Sequence, residues 1–313
     1  MATIEFRRIR DFNQTLNAAT EYLRQNFSVL AKTTLLLVMP ILALGLVSSN
    51  ISMYFIGKSL GETFDLAAST EMTTMLMTWG LMMLFSVLAI GVVINIAVLY
   101  EHMRLYSLTP DPDQITVRQL LSQMRRKAAL YIKTTIGLYF TFTLFYILFI
   151  IVLFTLIGVL ALAGSGLFIG LAVLVLCGAI VYLLCAISML YIIRTVEGLR
   201  FFAALRRSFE LVRQYFWATL GLYTVTYLII YSVTAVPAWL ALGFLGGLGL
   251  LAPSTDSWLL ATSITVGEML YAMIYLVINS LGMLVVAFRY FSLVETREGI
   301  GLLRKIESHY GAA

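Results

Sequence analysis

The chain has 313 residues, of which 61% are hydrophobic and only 12% are charged, and its formal net charge is +5. Soluble domains carry roughly 25% charged residues, so this composition, with a mean hydropathy of +0.94, excludes an ordinary soluble domain. The apolar runs are too long for the roughly ten-residue alternating strands of an outer-membrane barrel. We therefore expect an all-α, polytopic integral membrane protein.

The first 31 residues are polar and amphipathic. Phe12, Leu16, Ala19, Leu23 and Phe27 recur at intervals of three to four, which predicts a helix with one apolar face. This leader carries several arginines and no small-residue cleavage site, so we expect the apolar run that follows it to be retained as a membrane span.

Six apolar runs are long enough to cross the roughly 30 Å hydrocarbon core of a bilayer. We predict transmembrane helices at about 33–56, 74–100, 134–160, 166–193, 217 onward and 258–288. Pro237 and a cluster of glycines interrupt the fifth, and the sequence leaves open whether 238–252 spans, re-enters or lies at the interface. The whole chain, 1–313, is expected to form a single transmembrane domain that ends in an amphipathic tail at 291–313.

The order surface helix, span, turn, span occurs three times, at roughly 11–100, 114–193 and 200–290. The local matches are LRQNF at 23–27 with VRQYF at 212–216, and KTT at 32–34 with KTT at 133–135. This internal repeat predicts three hairpins around a pseudo-threefold axis, each preceded by a basic amphipathic interfacial helix. The alternative is that any amphipathic helix before a span produces such similarity.

The distribution of positive charge predicts the topology. Of the 21 Lys and Arg residues, 20 fall in the leader, in the two connections at 101–133 and 194–213, and at the end of the chain, and only Lys58 falls elsewhere. Because cytoplasmic loops carry the excess of Lys and Arg, we expect both termini to be cytoplasmic.

The same charges would form a basic collar on the cytoplasmic side. The candidate contacts to anionic lipid headgroups are Arg125, Arg126, Lys127, Arg206, Arg207 and Arg213. The alternative is that they only set topology and solvation. We expect membrane lipids as partners and no nucleic acid, since nothing beyond charge favours nucleic-acid binding; a protein partner or a homo-oligomer is also compatible with the pattern.

One ionisable residue lies within a predicted span, and such residues point to function by default. Glu268 is followed on the same helix by Tyr271, Tyr275 and Asn279, and Asn95 is a polar residue at depth in the second span. This candidate intramembrane polar site has three interpretations, which stay open: a proton or cation site, hydrogen bonding between helices, or a position at the outer interface.

The sequence offers no support for an enzyme. The two histidines lie far apart and the two cysteines, Cys177 and Cys185, fall in one helix, so the sequence predicts no metal site. Nucleophile-elbow, P-loop and zinc-protease motifs are absent from the sequence. Glu101 and His102 are adjacent, but neighbours on a helix do not face each other. We expect no catalytic residue and no cofactor.

The third surface helix carries an apolar stripe predicted from Phe202, Leu205, Phe209, Val212 and Phe216. Residues 197–217, EGLRFFAALRRSFELVRQYFW, resemble six-span bacterial membrane proteins similar to the membrane domain attached to some glycerophosphoryl diester phosphodiesterases. The resemblance implies a fold and no reaction, and nothing in this sequence matches the phosphodiesterase catalytic domain.

These patterns, together with the resemblance, predict a non-enzymatic protein of a bacterial inner membrane with both termini in the cytoplasm. It would be a scaffold for lipid and partner proteins, or an accessory subunit of a separately encoded enzyme. The alternative is a small transporter or channel with a polar site around Glu268.

Overall fold

The computed structural model describes residues 4–62, 66–109, 115–162, 166–251, 257–299 and 303, and nearly all of them are helical. The helices are α1 (Phe12–Glu62), α2 (Leu66–Leu108), α3 (Val117–Leu162), α4 (Gly166–Ser188), α5 (Leu190–Glu197), α6 (Phe201–Arg213), α7 (Phe216–Leu251) and α8 (Ser257–Glu298). No strand occurs in these ranges, so the all-α prediction is confirmed for them.

Five stretches within the described residues are long and apolar enough to cross a membrane. They are Phe12–Gly45, Val117–Thr155, Gly170–Glu197, Phe216–Val236 and Tyr271–Glu298. The predicted second span falls in α2, where most side chains before residue 89 lie outside the description. Helices that are long and apolar enough to cross a membrane are thus confirmed, while the count of six spans stays a prediction.

The three predicted surface helices do not all exist as separate elements. α1 and α3 run without a break from the amphipathic segment into the apolar one, and α1 continues through Pro40. Their amphipathic segments contain no proline or glycine to end a helix. In the third case α6 stops after Arg213, where Tyr215 N–H donates to the carbonyl of Val212 (3.0 Å), and α7 begins at Phe216.

α8 lies at the centre of the bundle and α3 at its periphery. In their most apolar stretches, 61% of the α8 residues are buried inside the protein but only 6% of the α3 residues. α1 and α2 pack on one another and on α8, and α7 packs on α8 as well. Aromatic side chains of α3 such as Tyr139, Phe140 and Tyr146 stay exposed, as expected for a surface that faces lipid.

An N-terminal segment closes one end of the bundle, which we call the basic end (residues 4–31, 100–109, 115–132, 190–216 and 289–299). The Phe6 ring stacks on Phe288 with a centroid distance of 5.7 Å and contacts Tyr22 edge-on at 5.8 Å. Arg10 donates its backbone N–H to Ser292 Oγ (3.1 Å) and holds its guanidinium 5.1 Å from the centre of the Phe288 ring. The segment therefore fastens α1 to the end of α8.

Candidate functional site

A buried carboxylate joins α2 to α3 at the basic end. The Glu101 side chain is fully buried, with Oε2 lying 3.0 Å from Arg104 Nε and Oε1 lying 3.1 Å from Lys127 Nζ. Tyr131 donates its hydroxyl to Oε1 over 3.3 Å. A buried charge is tolerated only when it is paired and hydrogen-bonded, and Glu101 meets both conditions.

The hydrogen bonds continue from α3 to α5. The Tyr131 hydroxyl lies 3.0 Å from Thr195 Oγ1, and the Thr135 hydroxyl lies 2.9 Å from that of Tyr191. Arg194 donates to Thr134 Oγ1. These hydrogen bonds between polar side chains thus join α3 to α5.

His102 lies beside Glu101 in sequence but has a different partner. Its Nδ1 lies 2.6 Å from the hydroxyl of Tyr22 on α1, and the ring is buried. Burial lowers the pKa of His102 to about 4, because desolvation disfavours the charged imidazolium. At neutral pH the ring is therefore neutral, and Glu101 and His102 face α3 and α1 respectively.

Asn95 is a junction between three helices. Its side chain is buried and donates through Nδ2 to the carbonyl of Leu276 (2.9 Å) and to Ser280 Oγ (3.0 Å) on α8. Thr34 Oγ1 of α1 donates to Asn95 Oδ1 over 3.2 Å. The donors and the acceptor of this amide are thus engaged by α1 and α8.

The remaining residues of the predicted polar site lie on α8. The Tyr271 and Tyr275 rings stack with centroids 6.3 Å apart, Tyr271 is 38% exposed, and Asn279 is buried. Among the described side chains Asn95 makes no hydrogen bond to these three residues. Glu268 lies on the α8 backbone, but its side chain is outside the described part of the structure.

The predicted headgroup contacts fall into two groups. Arg125, Arg126 and Arg213 are exposed, and the exposed Arg206 pairs with Glu210 over 3.0 Å, one turn along α6. Lys127 pairs with Glu101, and Arg207 forms ion pairs with Glu197 and Glu298. Two of the six cations are therefore engaged inside the protein, and four point outward.

A lateral groove of about 590 Å³ runs between α1, α2 and α3. Twelve of its fifteen lining residues are apolar, and the polar ones are Arg125, Tyr131 and Thr135. Leu36 and Ile136 line the groove and are 59% and 63% exposed, so it is open on its outer side. The groove is thus suited to an apolar chain lying beside a single cation.

The sequence did not predict the buried ion pairs of Glu101 or the contacts of Arg10 with α8. A signal for Glu101 was present, since Arg104 lies three residues on and such pairs meet on a helix surface. No comparable local signal marks the contacts that Arg10 makes with Ser292 and Phe288 on α8. No cluster of three or more potential metal ligands occurs within the described ranges.

Comparisons of the chain with protein-family models, with curated proteins and with solved structures found no match.

Proposed function

We propose that the protein is a non-enzymatic scaffold of the bacterial inner membrane that associates with membrane lipid. The observation that supports the proposal is the set of hydrogen bonds made by the Asn95 side chain. A polar amide at depth could line a solute path, but this one is engaged by Thr34, Leu276 and Ser280 across three helices. The large groove beside it is apolar, which suits lipid better than a hydrated solute.

The proposal includes six spans arranged as three hairpins, with both termini in the cytoplasm. The positive charges support this orientation, and a further sequence pattern supports the repeat. Thr-x-Glu-Gly occurs at 195–198 and again at 296–299. Gly198 and Gly299 each follow a helix end with positive φ, 67° and 61°, a conformation that glycine adopts at little cost.

Reporter fusions test the topology. A fusion after Gly61 and another after Gln123 are expected to report opposite compartments, with Gln123 in the cytoplasm. The same compartment for both would contradict the six-span arrangement, and Gln123 outside would contradict the orientation.

A flux assay tests the scaffold function against the transporter alternative. The purified protein in liposomes is expected to leave proton, Na⁺ and K⁺ permeability at the level of empty liposomes. Glu268→Gln should fold as the wild type does and change nothing. A flux that the wild type produces and that well-folded Glu268→Gln loses would overturn the scaffold function.

A further inference from the structure

We propose that the lateral groove binds one glycerophospholipid with a net negative headgroup, its phosphate at Arg125 and an acyl chain along α3. The inference rests on the proposed lipid-associated function, and it names the ligand, the site and the recognising residue. Three observations support the inference: the apolar lining of the groove, the positive charge of Arg125 at one end of the groove, and the length of the groove.

The groove has the length of one leaflet. Its lining on α3 extends from Leu121 to Ile136, which at 1.5 Å per residue is roughly 22 Å. A bilayer is about 40–45 Å thick with its headgroup regions, so one leaflet measures about 20–22 Å. On α1 and α2 the lining residues, Leu36 to Leu37 and Ala89 to Ala97, fall within the predicted spans, whereas Arg125 lies nine residues before the predicted start of the α3 span near 134. The cation is therefore on the headgroup side of the groove, and the apolar lining of α1 and α2 lies at the depth of the acyl chains.

Arg125 is available for an anion. It is exposed, and among the described residues it forms neither an ion pair nor a hydrogen bond. The acid of the neighbouring helix, Glu101, is already paired with Arg104 and Lys127. A guanidinium matches the geometry of a phosphate with two parallel hydrogen bonds, so the free charge at the groove favours a phosphate group.

The other polar groups of the groove are already bonded. The Tyr131 hydroxyl contacts Glu101 and Thr195, and the Thr135 hydroxyl contacts Tyr191. A polar solute would find no free partner along the chain-binding part, whereas an acyl chain needs none. The open outer side, marked by the exposed Ile90 and Ile132, lets a lipid enter from the bilayer without crossing the protein.

Native mass spectrometry on the full chain tests this site. The protein, released from detergent, is titrated with phosphatidylglycerol and with phosphatidylcholine of the same acyl chains. We expect one tightly bound lipid and a preference of about fivefold for phosphatidylglycerol over phosphatidylcholine. A preference of this size is what the attraction of one cation for an anionic headgroup provides. Arg125→Gln, an exposed substitution that leaves the core intact, should abolish the preference.

Two further variants separate the site from the general charge of the surface. Arg126→Gln removes the adjacent exposed cation, which does not line the groove, and should keep the preference. Ala128→Trp fills the groove and should lower the occupancy of both lipids while Arg125 is retained.

Equal effects of Arg125→Gln and Arg126→Gln would overturn the site but leave a lipid-associated scaffold in place. A wild-type dimer that holds no lipid, and that Ala128→Trp converts to monomer, would also overturn it, because a second copy would then occupy the groove. A result that contradicts the proposed scaffold function would appear in the flux assay and not in these lipid titrations.

Discussion

Glu197 and Glu298 end different helices but share one arginine. Arg207 Nε on α6 lies 3.6 Å from Glu197 Oε1 at the end of α5, and Arg207 Nη2 forms an ion pair with Glu298 at the end of α8. Tyr290 donates its hydroxyl to the same Glu197 oxygen over 2.7 Å. One side chain thus fastens α6 to the ends of two helices.

Replacing Arg207 should destabilise the basic end. Arg207 is only 21% exposed, so Arg207→Met is expected to lower the free energy of unfolding by about 1–2 kcal/mol, because Glu197 and Glu298 both lose the cation that pairs with them. The matched control is Arg206→Met on the same helix. Its exposed pair with Glu210 is worth at most about 0.5 kcal/mol. Denaturant unfolding in micelles measures both, and equal losses would contradict the role of Arg207.

Removing the Glu101 charge should cost more than removing an exposed one. Glu101→Ala leaves Arg104 and Lys127 without their acid, and we expect a loss of about 3 kcal/mol in unfolding free energy. Glu101→Gln keeps an acceptor for Tyr131 and should lose less. Glu210→Gln serves as the control on the surface. A thermal unfolding series that ranks Glu101→Ala with Glu210→Gln would contradict the buried ion pair.

His102 should make stability depend on pH. Its pKa is about 4 in the folded protein and about 6.5 when unfolded, so the unfolded state binds the proton first as the pH falls. The contribution is present above pH 6.5 and is lost on going down toward pH 4, by about 2 kcal/mol between pH 7 and 5. His102→Gln should flatten this part of the profile. An identical pH dependence in the variant would show that other groups cause it.

The sequence predicted the helices and the outward charges better than the contacts. Long apolar runs and amphipathic periodicity are local signals, so the membrane-spanning stretches around 134–155 and 271–288 could be located from them. The predicted stripe of α6 was partly wrong. Phe202 is 77% exposed, whereas Ala204, Ser208 and Leu211 form the buried face together with Val212. Small residues face inward there because α6 approaches α4 closely, with Ser208 donating to the carbonyl of Ala186.

The polar contacts had no such local signal. Asn95 was singled out as a polar residue at depth, but its partners Thr34 and Ser280 are 61 and 185 residues away in sequence. Periodicity on one helix says nothing about which neighbouring helix a side chain meets. The Phe6 contact with Phe288 was missed for the same reason.

A double-mutant cycle tests the Asn95 junction. Asn95→Ala and Ser280→Ala should each destabilise the protein, and the coupling energy between them should be about 0.6 kcal/mol, the average for hydrogen bonds between membrane helices, and at most about 1.7 kcal/mol. The matched control is Ser86 on α2, whose hydroxyl donates to the carbonyl of Met82 on its own helix over 2.7 Å. Ser86→Ala should therefore show no coupling to Asn95→Ala. A coupling near zero for Ser280 would contradict the junction.

Gly137 should tolerate no side chain while Phe201 is present. A Cβ at this position of α3 would lie 2.6 Å from Phe201 Cε2, so Gly137→Ala must displace the ring, which also lies over the Arg194 guanidinium at 5.9 Å. We expect a loss of about 1–3 kcal/mol from overpacking. Gly221→Ala on α7 is the matched control, because nothing lies within 4 Å of its added Cβ, and it should be neutral or stabilising by up to about 1 kcal/mol.

Phe201→Leu shows whether the ring causes the loss. It removes the ring atoms that a Cβ on Gly137 would meet, so adding Gly137→Ala to it should cost much less than adding it to the wild type. Unfolding free energies of the four proteins give the coupling directly. Additive losses would place the cause in the α3 backbone and not in its contact with α6, because only a shared contact makes the two substitutions depend on each other.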